Sequence, residues 1–258
     1  MNTTLNFPQP LTEKYRPRRV QDFIGLQKPK AILGRFAQKP YASAWLFLGE
    51  SGVGKTTMAL ALAEQVHGEL HHVPSRSCDL ETVENLTRIC HYVPLAGGFH
   101  LVLVDEADQM TLAAQHAFLS KLDATAFPPQ TIFIFTANST RYLEDRFLSR
   151  CRQLEFSGHN IGRELPGYLR RIWLAETGKK NTLDFSALAG KAENNVRDAI
   201  GRLELEILGA GTADEPKDAR ACRREKSPEP TRYHEAAAKA VATRERNILA
   251  KARKGAHK

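Results

Sequence analysis

No stretch of the 258-residue chain approaches the roughly 20 consecutive apolar residues that span a bilayer. The N-terminus, MNTTLNFPQP, also lacks the basic start and apolar run of a secretion signal. No membrane partner is therefore expected, and the cytoplasm is the expected location. Cysteine is scarce: Cys78, Cys90, Cys151 and Cys222 are too scattered for a metal knuckle and too few for a disulfide framework, which suits a reducing compartment. Internal repeats are lacking. Acidic residues are outnumbered, 29 Asp and Glu against 37 Lys and Arg, for a net charge of +8. That balance suits a polyanionic partner without separating nucleic acid from a membrane surface. Its distribution is uneven. Residues 212–258 carry 13 Lys and Arg against 7 Asp and Glu, leaving 24 against 22 for residues 1–211, so the excess basicity belongs to the tail. The 42% of apolar residues suffices for a packed core in one or two domains.

What the chain does have is a phosphate-binding pattern. GESGVGKTT, comprising Gly49, Glu50, Ser51, Gly52, Val53, Gly54, Lys55, Thr56 and Thr57, fits Gly, four residues, Gly-Lys-[Ser/Thr]. Glycines let backbone N–H groups curl round a β-phosphate without Cβ clashes, Lys55 reaches the β- and γ-phosphates, and the Thr56 hydroxyl ligates Mg²⁺. The context fits: Ala44–Leu48 reads as a buried strand entering the loop, and Met58–Val66 as a helix whose N-terminal dipole favours anions. ATP and Mg²⁺ are the expected ligands.

A second motif, ending in acids, follows after about fifty residues. His100 to Asp108, HLVLVDEAD, reads as a strand buried on both faces and ending in acids. Asp105 is placed to hold Mg²⁺ and Glu106 to polarise the water that attacks the γ-phosphate. Thr131 to Asn138, TIFIFTAN, repeats the buried-strand pattern and brings Asn138 to the same sheet edge, where it either orients the water or senses the γ-phosphate.

Between and around these motifs the reading is coarser. Residues 11–34 suggest a loop and a short helix in an N-terminal arm. Leu80–Val93 suggests an amphipathic helix with Leu80, Val83, Leu86 or Thr87, and Ile89 or Cys90 on its buried face. Thr111 is expected to cap a helix running to Leu122. His67, His71, His72 and His91 find no carboxylate or cysteine at a recognised ligand spacing, so no metal centre is expected among them. Arg141–Arg152 is a basic segment before a last strand, Gln153–Phe156. From Asn160 the pattern turns helical, with Val196, Ile200, Leu203 and Ile207 as the buried stripe of the final helix and Arg197 on another of its faces.

In the order EKYRP, DFIG, GESGVGKTT, VLVDEAD, FTAN, SRC and NNVRDAI, residues 11–208 resemble the AAA+ clamp-loader ATPases, that is, replication factor C small subunits and bacterial polymerase III gamma subunits. Ser149-Arg150-Cys151, eleven to thirteen positions after Asn138, makes the likeness specific. The resemblance implies a doubly wound α/β P-loop fold, a parallel sheet with helices on both faces, followed by a small all-α lid. The expected division is 1–157 for the nucleotide-binding domain with its arm, 158–208 for the lid and 209–258 for the basic tail. It further implies that Tyr15 and Arg16, in the arm, lie beside the adenine, and that Asn138 is the γ-phosphate sensor. Arg150 would be an arginine finger reaching a neighbouring subunit's ATP, and Arg197 a second sensor reaching from the lid. Gln115 would relay DNA contact. The implied activity is ATP hydrolysis that loads a sliding clamp on primer-template DNA during replication, with other AAA+ subunits as partners. Alternatives are another DNA-associated AAA+ ATPase, either a branch-migration motor or a helicase loader, and a weakly hydrolysing regulatory subunit. Family members continue into a helical collar, which the residues after Leu208 are too few to build. His234–Lys254 is expected either to form one exposed basic helix or to stay disordered until bound.

Overall fold

The structure, a computed structural model, describes residues 9–95, 98–178, 183–193 and 195–210; the expected basic helix at His234–Lys254 lies outside the described residues. The described chain runs α1 (Leu11–Lys14), α2 (Gln27–Gln38), β1 (Ser43–Gly49), α3 (Lys55–Gln65), β2 (Glu69–Pro74), α4 (Leu80–Cys90), β3 (His100–Asp105) and α5 (Leu112–Lys121). It continues with β4 (Thr131–Ala137), α6 (Asp145–Arg150), β5 (Arg152–Phe156), α7 (Ile161–Thr177), α8 (Phe185–Lys191) and α9 (Val196–Ala210).

All strand pairings are parallel, in the order β2-β3-β4-β1-β5. The inner strands β1, β3 and β4 are buried along nearly their whole length, whereas the edge strand β2 alternates between half-buried and exposed residues. Continuous apolar runs belong in a sheet covered on both faces, and alternation belongs in one covered on a single face. Because successive side chains point to opposite faces, Phe47, Leu101, Leu103 and Ile134 join one core while Leu46, Val102, Val104, Phe133 and Phe135 join the other. The first core continues into α2, α3 and the helices α7 to α9 through Leu33, Met58, Leu165, Leu169, Leu188 and Leu203. The second is closed by Val83 of α4, Phe118 of α5 and Phe147 of α6. The doubly wound parallel α/β fold with a following helical region is thus present. No helix among the described residues is long and apolar enough to cross a membrane.

Three local readings change. The short helix of the arm runs past residue 34 to Gln38, and Val20, Phe23 and Leu33 sit in the core. In α4 the stripe is Val83, Leu86, Thr87 and Cys90; of the two alternatives it is Cys90, with Ile89 43% exposed, and Leu80 in the first turn is 53% exposed because the helix packs by its later turns. The nucleotide-loop helix starts at Lys55 instead of Met58, directly after left-handed Gly54. Thr111 caps α5 as read, accepting from the Ala114 N–H at 3.2 Å.

Candidate functional site

In a parallel sheet, loops leaving the carboxyl ends of neighbouring strands converge on one crevice. Here the turn after β1 forms the phosphate loop, and α3 begins with its first N–H groups unpaired within the helix. Asp105 closes β3 and Asn138 follows β4. The resulting cleft of about 300 Å³ is lined by Tyr15 and Arg16, by Ser51 to Thr57, by Asp105, Glu106, Thr136 and Asn138, and by Tyr168, Val196, Arg197 and Ile200.

Lys55 is the electrostatic centre. It is 8% exposed, and its ammonium donates to Gly49 O at 2.7 Å, Glu50 O at 2.8 Å and Asn138 Oδ1 at 2.9 Å. Burial lowers its pKa, against the opposing pull of Asp108, Asp105, Glu106 and Glu50. Among the described residues no carboxylate is hydrogen-bonded to it; the cation meets carbonyl and amide oxygens, which phosphate oxygens can replace. The Thr56 hydroxyl donates to Asp105 Oδ1 at 2.7 Å, and that oxygen also accepts from Thr136 Oγ1 at 2.5 Å. Neighbouring oxygens on an octahedral Mg²⁺ with bonds of 2.0–2.1 Å lie about 2.9 Å apart, so the Thr56 and Asp105 oxygens are spaced as a magnesium ion needs. Asp108 Oδ1 is buried without a hydrogen-bond partner, a further acceptor beside the lysine. The residues present therefore fit Mg²⁺ and a nucleoside triphosphate.

Glu106 stands at φ 57°, a left-handed conformation costly for a non-glycine residue and common where a site stores strain. Its N–H donates to Thr136 Oγ1 at 3.0 Å, and its carboxylate accepts from Gln109 Nε2 at 3.0 Å. Gln109 in turn accepts from Arg76 Nε at 3.2 Å. The arm reaches the helical region through Tyr15, whose hydroxyl donates to Glu176 Oε1 at 2.5 Å and whose carbonyl accepts from the Tyr168 hydroxyl at 2.9 Å. Burial and the Glu176 carboxylate push the Tyr15 phenol up to about 12, so it stays a donor.

Of the residues singled out from sequence, Tyr15, Arg16, Ser51, Gly52, Val53, Gly54, Lys55, Thr56, Thr57, Asp105, Glu106, Asn138 and Arg197 line one cleft. Gly49 and Glu50 contribute carbonyls to it through Lys55. Arg150 does not line it. At the end of α6 its guanidinium donates to Arg146 O at 3.2 Å and lies 3.6 Å from Asp123 Oδ2. Gln115 is buried and joins α5 to the segment before α6, donating to Tyr142 O and accepting from the Glu144 N–H, each at 2.9 Å.

Sequence reading missed Thr136, Gln109 and Asn195. Thr136 would have followed from aligning the two buried strands, since Val104 pairs with Phe135 and the next residues are Asp105 and Thr136. Asn195 has no local signal. It accepts from the Asp198 N–H at 3.0 Å at the start of α9, and Gly52 packs against it so closely that a Cβ would lie 2.0 Å from its Oδ1. Gly52 also has φ 78°. Gly52→Ala is therefore expected to cost about 1–3 kcal/mol in backbone strain alone, lowering the melting temperature and weakening ATP binding together. Thermal melts with and without ATP check this; an unchanged melting temperature and affinity would show that loop and helix need no such approach.

The family described as ATPase family associated with various cellular activities (AAA) matches residues 45–158, the span from β1 to the end of β5 and the turn after it. Over that span, 114 of its 258 residues, the chain is similar to the AAA ATPase family. The chain is 31% identical over 210 residues to the replication factor C small subunit of Methanothermobacter thermautotrophicus, covering 76% of this chain and 62% of that protein. It is 35% identical over 212 residues to replication factor C small subunit 1 of Pyrobaculum arsenaticum, covering 78% and 63%. Replication factor C subunit 4 of Saccharomyces cerevisiae is 28% identical over 221 residues, with 82% and 67% covered. The chain thus spans a little over six tenths of the length of the first two. Among solved structures, the Thermotoga maritima RuvB Holliday junction branch migration motor superposes with a TM-score of 0.65 at 18% identity, covering 78% of this chain and 68% of that one. At that identity the likeness shows the AAA fold alone.

Proposed function

We propose that this AAA chain is an ATP-hydrolysing subunit of clamp-loader type, cytoplasmic, which uses ATP to load a ring-shaped sliding clamp on primer-template DNA during replication. The observation that carries the reading is the division of the charged machinery: Lys55, Thr56, Asp105, Glu106 and Asn138 share one cleft, while Arg150 stands outside it. A site complete except for its finger suits an assembly in which the neighbouring AAA+ subunit supplies the finger. The likeness to replication factor C small subunits supports the same reading.

In this account residues 1–157 bind the nucleotide and 158–208 act as the lid. Tyr15 and Arg16 border the base, while Lys55 and the loop N–H groups hold the β- and γ-phosphates. Thr56 and Asp105 hold Mg²⁺, which when bound neutralises phosphate charge. Glu106 takes the proton of the attacking water on its carboxylate, Asn138 reports the γ-phosphate, and Arg197 carries the nucleotide state to α9. Positioning and charge stabilisation do the catalysis, since phosphoryl transfer asks little covalent chemistry of a protein. The test is ATPase stimulation by primer-template DNA and a sliding clamp together. Stimulation by branched DNA without a clamp would point to a branch-migration motor instead.

The tail, 209–258, is proposed to contact DNA phosphates. Deleting residues 212–258 removes a net +6 and is expected to flatten the dependence of log affinity for DNA on log salt by up to about five units, at about 0.9 per phosphate contact. An unaltered slope in a salt titration would make the tail a bystander.

A further inference from the structure

Away from the nucleotide cleft, four ligand-type side chains meet at the amino ends of β2 and β3, where Glu69 is paired with His100. His71 Nε2 lies 3.0 Å from His100 Nδ1. The thiol of Cys90, at the end of α4, joins them, and the three ligand atoms lie within 4.8 Å of one another. Glu69 presents Oε1 3.9 Å from His71 Nε2 and Oε2 4.0 Å from His100 Nδ1. Cys90 and His100 are buried and His71 is half-buried. The period of two along a strand puts Glu69 and His71 on one face, and strand pairing adds His100. A search along the sequence for closely spaced ligands passes over this set because sheet pairing and a helix end assemble it.

Hydrogen bonding selects the tautomer of neutral His100. Its Nε2 lies 3.0 Å from the Tyr92 carbonyl oxygen. A carbonyl only accepts, so Nε2 carries the proton and Nδ1 turns a lone pair toward His71, Cys90 and Glu69. A metal-bound histidine is held in the same way, one nitrogen ligating and the other N–H tied to a carbonyl. His71 meets that lone pair with its Nε2, either by donating a proton or, in the other tautomer, by offering a second lone pair to the same point.

We propose that Glu69, His71, Cys90 and His100 form a structural zinc site that fastens the turn Tyr92–Leu95 to the edge of the sheet. Two imidazoles, a thiolate and a carboxylate make a four-coordinate set suited to Zn²⁺ and poorly suited to Mg²⁺. With Zn–N near 2.0–2.1 Å and Zn–S near 2.3 Å, tetrahedral donors lie about 3.3–3.7 Å apart, between the separations seen for the His71–His100 and Glu69 contacts, so small side-chain rotations close the site. A cysteine ligates zinc as its thiolate. Binding therefore releases one proton from Cys90 to solvent, and the thiolate and the Glu69 carboxylate together balance the two charges of Zn²⁺. The turn takes part directly. The Leu95 N–H donates to Glu69 Oε2 at 2.8 Å and Tyr92 O accepts from His100, while Tyr92, Val93 and Leu95 are exposed. Pro94 is the one buried residue of the turn, and the ion would add a second anchor to it.

The test is titration of the full chain, stripped with a chelator and free of nucleotide, with Co²⁺ and then Zn²⁺. One Co²⁺ per chain is expected, with a thiolate-to-cobalt charge-transfer absorption that Zn²⁺ abolishes by displacement. Cys90→Ser should lose that absorption, and Cys222→Ser should keep it. His71→Gln, on the accessible side, should fold and bind ATP normally yet weaken Co²⁺ binding by more than the about 10- to 100-fold that outer-sphere changes cost. Absence of stoichiometric Co²⁺ uptake by the wild-type chain would overturn the proposal and leave a plain histidine pair. So would an absorption that survives Cys90→Ser and disappears with Cys222→Ser, which would assign the thiolate to the tail.

Discussion

Glu106→Gln is expected to bind ATP as the unaltered chain does and to hydrolyse it about 10²- to 10⁴-fold more slowly, the usual contribution of a positioned general base. The substitution is nearly isosteric. It keeps the backbone N–H bond to Thr136 Oγ1 and leaves Lys55, Thr56 and Asp105 in place, so the ground-state hold on the phosphates is unchanged. What it removes is the carboxylate charge that draws the proton from water. Equilibrium binding of a fluorescent ATP analogue and single-turnover hydrolysis separate the two effects. Unchanged turnover would take Glu106 out of the chemistry and leave its left-handed backbone as a feature of the strand end.

Arg150→Ala is expected to cut hydrolysis by about 10³- to 10⁵-fold, the usual worth of an arginine finger, and to leave the chain's own nucleotide affinity nearly intact, because Arg150 lies outside its own cleft. Its ground-state partners are weak. The contact with Asp123 is 3.6 Å and the Arg150 side chain is 32% exposed, so little holds it back from a neighbour. Lys55→Ala has the opposite defect, an intact finger and a damaged site. In a random equal mixture of head-to-tail contacts, about one interface in four joins a sound site to a sound finger. Mixing two nearly inactive variants should therefore restore roughly a quarter of the unaltered activity. A mixture that stays inactive would argue that Arg150 acts within its own chain or not at all.

The parts of the molecule legible in the sequence were those with local, short-range causes. A four-residue gap between Gly49 and Gly54-Lys55, set between an apolar run and a helix, leaves few folds open. The runs LVLV and IFIF announce strands buried on both faces, and Thr111 announces a helix start by its own hydroxyl. What stayed hidden was set by tertiary packing. Leu80 looks like a stripe residue, but whether it is covered depends on where α4 lies against α5, which its own sequence does not encode. Val20 and Phe23 look like an arm until α2 and α3 supply the cover. In the cleft, the residues with intrinsic chemistry were found, whereas the neutral side chains that hold them were not. Gln109, Thr136 and Asn195 act only through the atoms beside them, and those neighbours come from other strands and helices. The cluster of Glu69, His71, Cys90 and His100 escaped for the same reason.

The central claim is that ATP bound in this cleft is hydrolysed with help from an adjacent subunit. It is tested most directly by the steady-state ATPase rate of the purified chain across protein concentrations, with and without primer-template DNA and a sliding clamp. The account predicts a rate per subunit that rises with concentration as neighbours bring Arg150 to each other's ATP, and that rises further with DNA and clamp together. A rate flat in concentration and indifferent to both would contradict it.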